Sequence, residues 1–215
     1  MAVIPFYGAT DPSMFAIERA SMDRAGLVIE RLDAMLPSGR VADIGAGDGF
    51  TADRLSEGRH VVAVEPSAGM LRSDRALTWV RADAEQLPFK RGVFDAAYST
   101  WAYFFSRNWD PTPGLAELHR VVLTGGSVLI VDNAGDDEFT ELAAGDISAD
   151  PEFWRAQGFT MEVIETAFEF ETIEEAKLLL GFFFGETGLR NTQLRVGFNV
   201  ALFAGKSLGP GTLPR

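Results

Sequence analysis

The chain has no cysteine and only two histidines among its 215 residues. The lack of cysteine excludes disulfide bonds, thiolate nucleophiles and cysteine-based zinc sites. Two histidines are too few for a histidine-rich metal site, so we expect no bound metal. His60 begins an apolar strand and His119 lies on a helix among charged residues, which makes neither a convincing general base. The sequence therefore assigns no catalytic residue.

Long apolar runs and an excess of positive charge are also absent. The longest apolar stretches, at 93–105 and 178–184, fall short of the ~20 residues that span a bilayer. The first residues carry no positive charge before an apolar run, so we expect no signal peptide. The net charge is −12, with 31 acidic and 19 basic residues, and repels nucleic acid and anionic membranes. We expect a cytoplasmic protein with a small-molecule partner and neither a nucleic-acid nor a membrane partner, and the oligomeric state stays open.

What the sequence does contain is an alternation of short apolar strands and helical segments. Strands are predicted at residues 41–44, 60–64, 78–82, 93–99 and 127–131. Helical segments are predicted between residues 12 and 36 and at 50–56, 67–72 and 113–123. This order is typical of an α/β protein in which a parallel sheet is covered by helices on both faces.

The last third of the chain has a different pattern. Residues 161–170 alternate apolar and charged side chains as a half-buried strand does, 173–184 are predicted to be helical, and 196–204 form a final strand. Two late strands that flank a helix predict an antiparallel edge on the parallel sheet. We expect one domain over 1–206, with a helical cap region (1–36), a cofactor-binding half (37–132) and a substrate-side half (133–206). Residues 207–215 are expected to form a loose tail.

The most informative segment places three glycines at alternate positions after the first strand, from Asp43 to Gly49. Glycine lets a ligand approach the backbone, and glycine-rich loops between a strand and a helix usually bind nucleotides. Glu65 follows Gly45 by 20 positions (65 − 45), the offset at which an acid binds ribose hydroxyls. Asp83 and Ser99 also follow apolar runs. Because the carboxyl ends of parallel strands meet at one crevice, we expect these residues to surround the same ligand.

A nicotinamide or flavin dinucleotide is the rival ligand for this loop. Its fingerprint, G-x-G-x-x-G/A, needs glycine or alanine where this chain has Phe50. Asp43 and Asp48 also face the place of a pyrophosphate, and each like-charge contact at ~4 Å costs on the order of 4 kcal/mol at an effective dielectric constant of ~20. The two acids therefore favour a ligand with a cationic group over a diphosphate.

Five motifs in order resemble those of the class I S-adenosylmethionine-dependent methyltransferases, and are most similar to the small-molecule branch related to the ubiquinone C-methyltransferases. They lie at residues 41–55, 64–71, 83–89, 94–100 and 117–126. The resemblance implies a Rossmann-like, seven-stranded and mostly parallel sheet with an antiparallel last strand. It implies S-adenosylmethionine as the cofactor and S-adenosylhomocysteine as its product. The implied cofactor-binding residues are Asp43, Gly45, Ala46, Gly47, Glu65, Pro66, Asp83, Ala84 and Ser99.

Aromatic residues follow the fourth strand, where a methyl acceptor would lie. Aromatic walls suit an apolar or cationic acceptor, so Trp101 and Tyr103 are predicted to bind substrate. Tyr7 is also predicted to bind substrate, because the resemblance implies that a residue in its position closes over the cofactor. Methyl transfer is a displacement at an activated sulfonium methyl, which alignment and water exclusion accelerate without a histidine base.

The sequence thus predicts an S-adenosylmethionine-dependent methyltransferase that acts on a small molecule. Two alternatives stay open at this stage. One is a regulatory protein that binds S-adenosylmethionine or S-adenosylhomocysteine without catalysis. The other, less favoured, is an NAD(P)-dependent oxidoreductase.

Overall fold

A single seven-stranded sheet organises the computed structural model, which describes Gly8, residues 10–105 and residues 110–209. The strands are β1 Gly39–Ile44, β2 Arg59–Val64, β3 Thr78–Val80, β4 Phe94–Thr100, β5 Val122–Asn133, β6 Thr160–Glu169 and β7 Arg195–Lys206. Their order across the sheet is β3-β2-β1-β4-β5-β7-β6. The first five strands pair in parallel, whereas β7 is antiparallel to both of its neighbours. The predicted Rossmann-like sheet with an antiparallel last strand is confirmed.

Helices cover the sheet on both faces, as predicted. They are α1 Pro12–Ser21, α2 Leu27–Met35, α3 Phe50–Arg54, α4 Thr112–Val121, α5 Pro151–Ala156 and α6 Ile173–Arg190. On one face, α2 and α6 pack on an apolar cluster that includes Leu32 and Leu179. On the other face, α4 and α5 contribute Leu118 and Trp154 to a second cluster. Within the described ranges, every helix is too short or too polar to cross a lipid bilayer.

The central strands are apolar along most of their length because both of their faces are buried. In β1, Val41 belongs to the cluster under α2 and α6, whereas its neighbour Ala42 belongs to the opposite cluster. Asp43 follows in the same strand and is fully buried. A carboxylate in the centre of an otherwise apolar sheet needs a specific explanation, because burying an ionised group without partners is strongly unfavourable.

The predicted helical region between residues 12 and 36 consists of two helices. Asp11 caps α1 by accepting a hydrogen bond from the Met14 N–H at 3.0 Å, and Pro12 occupies the first turn. Before α2, Gly26 adopts a φ of 77° and Asp23 accepts from the first N–H groups of the helix. The turn between the helices lets α1 cross towards the glycine loop, which matters for the site.

Two predicted helices differ from the structure. Residues 67–72 form a turn instead of a helix, because the Ser67 N–H donates to the Glu65 side chain and the Ser67 carbonyl accepts from the Met70 N–H at 3.1 Å. The late helix extends past residue 184 to Arg190, with a break at Gly185, where φ is 56°. Glycine permits this left-handed conformation, so the chain changes direction there and continues as a second helical segment.

Of the tail predicted over 207–215, residues 207–209 are hydrogen-bonded to the domain, and the remainder lies outside the described residues. The Ser207 N–H donates to the Gly126 carbonyl at 2.8 Å, and the Leu208 N–H donates to His119 Nδ1 at 3.2 Å. His119 is therefore buried, and burial lowers the pKa of its imidazole. The expectation that a histidine on a helix among charged residues is solvated is wrong for His119, since this histidine accepts a hydrogen bond from the segment that follows β7.

Candidate functional site

The loop between β1 and α3 is tightly packed at its first glycine and open at its second. Gly45 has a φ of 76°, and its N–H donates to the Val64 carbonyl at 2.9 Å. A Cβ atom at Gly45 would lie 2.4 Å from that of Ala102, so the fold itself requires glycine there. At Gly47, with a φ of 56°, an added Cβ would meet Met70 Cε first, at 3.7 Å. The backbone of Gly47 is therefore open to close approach by a ligand.

Glu65 lies beside the open part of this loop, directly after β2. Its Oε2 accepts a hydrogen bond from the Gly47 N–H at 2.9 Å, and its Oε1 accepts from the Ser67 N–H at 2.8 Å. Burial raises the pKa of the Glu65 carboxyl, and the two N–H donors oppose that shift. Each carboxylate oxygen has a second lone pair, so Glu65 can accept further hydrogen bonds from a ligand.

Asp43 presents an unsatisfied acceptor at the carboxyl end of β1. It pairs in register with Tyr98 of β4, whose hydroxyl donates to Asp43 Oδ2 at 2.9 Å. The other oxygen, Oδ1, is buried and has no hydrogen-bond partner in the described part of the chain. Desolvation raises the pKa of Asp43 to about 7, although the Tyr98 hydrogen bond and the charge of Arg19 oppose the shift. The carboxyl is therefore close to its titration midpoint at neutral pH.

A cation that the sequence analysis missed, Arg19 of α1, lies against the same loop. Its Nη2 donates to Thr51 Oγ1 at 3.1 Å, and its guanidinium lies 4.6 Å from the centre of the Phe50 ring. Its Nε is buried and finds no acceptor among the described residues. Burial lowers the pKa of Arg19, and attraction to Asp48 and Asp43 opposes that effect. No local pattern marks Arg19, because its partner Thr51 is 32 positions away.

Asp48 adds no free negative charge to the loop. Its Oδ1 accepts from the Phe50 N–H at 3.1 Å, and its Oδ2 pairs with Arg75 at 3.3 Å. Arg75 also pairs with Asp53 at 3.1 Å. The expectation that both loop acids repel a pyrophosphate is thus correct only in part, because the charge of Asp48 is compensated. Of the two loop acids, Asp43 is therefore the one whose charge can favour a cationic group of the ligand over a pyrophosphate.

The segment predicted to contact adenine follows β3 and is held in place by α4. Asp83 is exposed at its start, and Ala84 is buried. Further along, Arg120 donates to the Leu87 carbonyl at 2.8 Å, while Glu117 accepts from the Leu87 N–H at 2.8 Å. These contacts hold the backbone of the segment, in which Asp83 is exposed.

Three further residues predicted to bind the cofactor make contacts within the protein. The Ser99 hydroxyl donates to the Ile44 carbonyl at 2.7 Å and so joins the ends of β4 and β1. The Ala46 N–H donates to the last carbonyl of β2 at 3.0 Å. The Pro66 carbonyl accepts from Arg81 Nε at 3.1 Å. The side chain of Ser99 thus shapes the crevice, and Ala46 and Pro66 use backbone groups to do the same.

The aromatic residues predicted to bind substrate lie on opposite faces of the sheet. Trp101 has a φ of 44° and packs on Phe198, with ring centroids 6.2 Å apart, on the face covered by α6. Its indole Nε1 is buried and has no partner within the described ranges. Tyr103 packs on the α4 face and donates to Glu85 at 2.8 Å. The structure does not bring the two side chains together, and Tyr7 lies outside the described residues.

A buried acid that the sequence analysis did not select lies at the end of β5. Asp132 is 3% exposed, and its Oδ1 accepts from the Asn133 N–H at 2.7 Å. Desolvation raises the pKa of Asp132 to about 7, and the Asn133 hydrogen bond opposes the shift. Asp132 directly follows the strand predicted at 127–131. The criterion that selected Asp83 and Ser99, a polar residue after an apolar run, could therefore also have selected Asp132. Asp132 lies beside the end of β4, because the Trp101 N–H donates to the Val131 carbonyl at 2.9 Å.

The carboxyl ends of β1 and β2 thus carry an open glycine, an acid with spare lone pairs and two charged groups of opposite sign. Asp43 Oδ1 and Arg19 Nε both lack partners, and none of the ion pairs within the described residues joins them. An α-amino acid zwitterion matches both atoms, because its ammonium pairs with the carboxylate and its carboxylate pairs with the guanidinium. A pyrophosphate would satisfy Arg19 but would lie against Asp43. The residues therefore fit a cofactor with a nucleoside at one end and an amino acid at the other.

The sheet order and this site define a Rossmann-like domain of the methyltransferase type. Residues 42–130 match the model of a protein family described as "Methyltransferase domain". This match covers 89 of the 215 residues and agrees with the methyltransferase resemblance found in the sequence.

Curated relatives show sequence similarity over the same part of the chain. A demethylmenaquinone methyltransferase of Clavibacter sepedonicus is 37% identical over 99 residues, which are 42% of this chain and 40% of the relative. The bifunctional biotin biosynthesis protein BioHC of Cellvibrio japonicus is 33% identical over 129 residues, which are 57% of this chain and 24% of the relative. The chain therefore spans less than half the length of these relatives.

Solved structures support the fold. YcgJ of Bacillus subtilis has a TM-score of 0.59 at 20% identity, covering 87% of this chain and 98% of YcgJ. Phosphoethanolamine N-methyltransferase 2 of Haemonchus contortus, solved with S-adenosylhomocysteine, has a TM-score of 0.61 at 20% identity. That match covers 97% of this chain and 61% of the Haemonchus enzyme.

Proposed function

We propose that this protein transfers the methyl group of S-adenosylmethionine to a small-molecule acceptor. The observation that carries the proposal is the pair of buried, unpartnered atoms of opposite charge, Asp43 Oδ1 and Arg19 Nε, at the open glycine loop. The amino-acid end of S-adenosylmethionine provides an ammonium for the first and a carboxylate for the second. Glu65 lies at the same loop with lone pairs for the ribose hydroxyls.

The role of the chain is to hold and align the donor. S-adenosylmethionine supplies a methyl group activated by the sulfonium charge. Asp43 and Arg19 orient its amino-acid end, Glu65 holds the ribose, and Asp83 and Ala84 are proposed to contact the adenine. Alignment of this kind, combined with exclusion of water from a buried crevice, accelerates displacement without covalent participation of the protein.

The acceptor is proposed to bind beyond the end of β4, near Trp101. The buried indole N–H of Trp101 has no described partner and can donate to an acceptor oxygen. Four of the curated relatives are named demethylmenaquinone methyltransferases, so a soluble naphthoquinol is the first acceptor to test. Tyr7 and Tyr103 stay predictions as substrate-binding residues.

Asp132 is the candidate base for an acceptor that must lose a proton. Its pKa of about 7 leaves the carboxyl about half ionised at neutral pH, where a general base works well. Its Oδ2 receives no hydrogen bond from the described residues, whereas its Oδ1 is held by the Asn133 N–H. A base in this position would take up the acceptor proton as the methyl group is transferred.

We further infer that the acceptor is free in solution. The net charge of −12 disfavours nucleic acid and anionic membranes as partners, because like charges repel over distances of several ångströms. A cytoplasmic location agrees with this inference and stays a proposal.

Isothermal titration calorimetry with S-adenosylmethionine and S-adenosylhomocysteine tests cofactor binding. We expect dissociation constants below about 1 mM, and a loss of about tenfold or more in Glu65→Gln, because a charged hydrogen-bond acceptor is removed. Glu57→Gln is the matched control, since Glu57 is exposed at the far end of the sheet, before β2. Failure of both ligands to bind would refute the proposed function.

Turnover separates an enzyme from a regulator. S-adenosylmethionine labelled in its methyl group is incubated with the protein and either a soluble naphthoquinol or a small-molecule cell extract. A labelled product supports the proposal, and its loss in Asp132→Asn with retained cofactor binding supports the proposed base. Saturable binding without any product would favour a non-catalytic regulator. A thermal shift with NADH, without one with S-adenosylmethionine, would favour an oxidoreductase.

A further inference from the structure

An open groove lies at the end of the sheet opposite the glycine loop. Its volume is about 530 Å³, within the range of small-molecule sites. The groove is formed where parallel strands begin, by Arg40 of β1, His60 of β2 and Phe94 of β4. Arg40 and His60 are register partners, so their side chains leave the sheet side by side on one face. The groove is therefore separate from the cofactor site at the carboxyl ends of these strands.

The floor of the groove is apolar. Val62 and Phe94 form it and are 7% and 2% exposed. Phe89 completes the wall and meets Phe94 edge-to-face, with ring centroids 4.9 Å apart. A flat apolar group that covers this floor would gain hydrophobic contact.

The rim of the groove is cationic. The side chains of Arg40 and Lys90 are exposed and form no hydrogen bond or ion pair with any described residue. The neighbouring acid Asp95 accepts a hydrogen bond from the Arg40 backbone N–H at 2.8 Å at its Oδ2, and it forms no ion pair with the side chain of Arg40 or Lys90. The described lining of the groove thus holds two cations, Arg40 and Lys90, and no acidic residue, in a chain with 31 acidic and 19 basic residues.

The groove is also preformed. Arg120 of α4 donates to the Phe89 carbonyl at 2.7 Å, and the Val93 N–H donates to the Val121 carbonyl at 2.8 Å. The segment that carries Phe89 and Lys90 is thus tied to α4 at both ends. Since binding to a fixed wall requires little ordering of the protein, a small ligand loses little affinity to conformational entropy.

We propose that this groove binds a small organic anion, a carboxylate or phosphate joined to a flat apolar body. The anionic group lies between Arg40 and Lys90, and the apolar body covers Val62 and Phe94. A polyanion such as nucleic acid or an anionic bilayer is disfavoured, because the net charge of −12 repels it beyond the local rim. The groove volume also limits the ligand to small-molecule size.

Titration of the full chain with 2-naphthoate, followed by amide NMR shifts, tests the proposal. We expect saturable shifts at Val62 and Phe94 with a dissociation constant on the order of 1 mM or lower, the affinity typical of a ligand of this size. The neutral analogue 2-naphthamide is expected to bind about tenfold more weakly, because it lacks the charge. 2-Naphthyl phosphate distinguishes a phosphate from a carboxylate as the preferred group.

Charge reversal provides the matched variants. Lys90→Glu and Arg40→Glu are each expected to weaken 2-naphthoate binding about tenfold or more. Lys177→Glu, a reversal of an exposed lysine on α6, is expected to leave it unchanged. Unchanged amide spectra outside the groove show that each variant is folded. Equal binding of 2-naphthoate and 2-naphthamide, equal binding by Lys90→Glu and Lys177→Glu, or no saturable shift would each overturn the proposal. S-adenosylhomocysteine binding is measured separately, so failure here leaves the proposed function untouched.

Discussion

Binding of the cofactor is expected to strengthen as the pH rises towards 7, because Asp43 has to lose a proton. The pKa of Asp43 in the free protein is about 7, since desolvation disfavours its charged form. The ammonium of the ligand needs a carboxylate, so binding takes place with the ionised form. Below pH 7 the free energy of deprotonation is subtracted from the binding free energy.

The size of this effect follows from the ionised fraction. With a pKa of about 7, Asp43 is half ionised at pH 7 and about 3% ionised at pH 5.5. Affinity should therefore fall about 16-fold between these two pH values. Above the pKa of Asp43 the affinity should level off, until the α-amino group of the ligand begins to lose its own proton.

Isothermal titration calorimetry with S-adenosylhomocysteine between about pH 5.5 and 8.5 measures this profile. S-adenosylhomocysteine has no sulfonium charge, so the profile reports the amino-acid end. In Asp43→Asn we expect the acid limb to disappear and the affinity at pH 7 to fall roughly 10- to 150-fold, because a charged hydrogen bond is lost. Asp48→Asn is the matched control, and it should keep the acid limb because Asp48 is paired with Arg75.

Two results would refute the reasoning. A flat profile between pH 5.5 and 7 in the natural protein would show that no carboxyl is deprotonated on binding. An acid limb that persists unchanged in Asp43→Asn would assign the proton to another group, of which Glu65 is the first candidate because burial also raises its pKa.

Three further predictions concern stability and order. Gly45→Ala should destabilise the fold by roughly 3 kcal/mol in urea unfolding, because the added methyl would lie 2.4 Å from the Cβ of Ala102. Gly47→Ala should destabilise the fold by only about 1 kcal/mol, because its added methyl has room, but it should also weaken cofactor binding. Asp132→Asn should gain up to about 4 kcal/mol of stability at pH 8 and nothing near pH 4. Burial raises the pKa of Asp132 to about 7, so ionisation of this carboxyl destabilises the folded state as the pH rises from about 4 to 7. Asparagine does not ionise, and the variant therefore does not lose this stability. An equal gain at both pH values would contradict this. Arg120→Met should speed hydrogen exchange at Leu87, measured by NMR, since two backbone contacts of that segment are removed, and an unchanged rate would contradict the clamp.

Much of the fold could be predicted because local sequence patterns indicate the strands and helices. Apolar runs ending in Asp43, Glu65 and Ser99 gave the positions of three central strands, and short helices between them required a parallel sheet. The offset between Gly45 and Glu65 predicted a ligand site at the strand ends, and the structure places Glu65 in hydrogen-bond contact with the loop. Such signals depend on neighbouring residues, so they need no knowledge of the tertiary structure.

Other features depended on which distant segments meet. The predicted helix at 67–72 is a turn, and the Glu65 side chain that accepts from the Ser67 N–H there is held by the Gly47 N–H, 18 positions away. His119 is buried where the segment that follows β7 lies against α4, and the Leu208 N–H donates to its ring. Neither contact has a signature in the sequence, since each arises from packing.

By itself, the sequence determined the sheet, its antiparallel edge, the glycine loop and the class of cofactor that suits them. Only the tertiary structure decided the charges around that loop. It buried Asp43 against Tyr98, brought Arg19 from α1, and neutralised Asp48 with Arg75. The physical reason is that strand and helix periodicity is local, whereas desolvation and ion pairing depend on residues far apart in the chain.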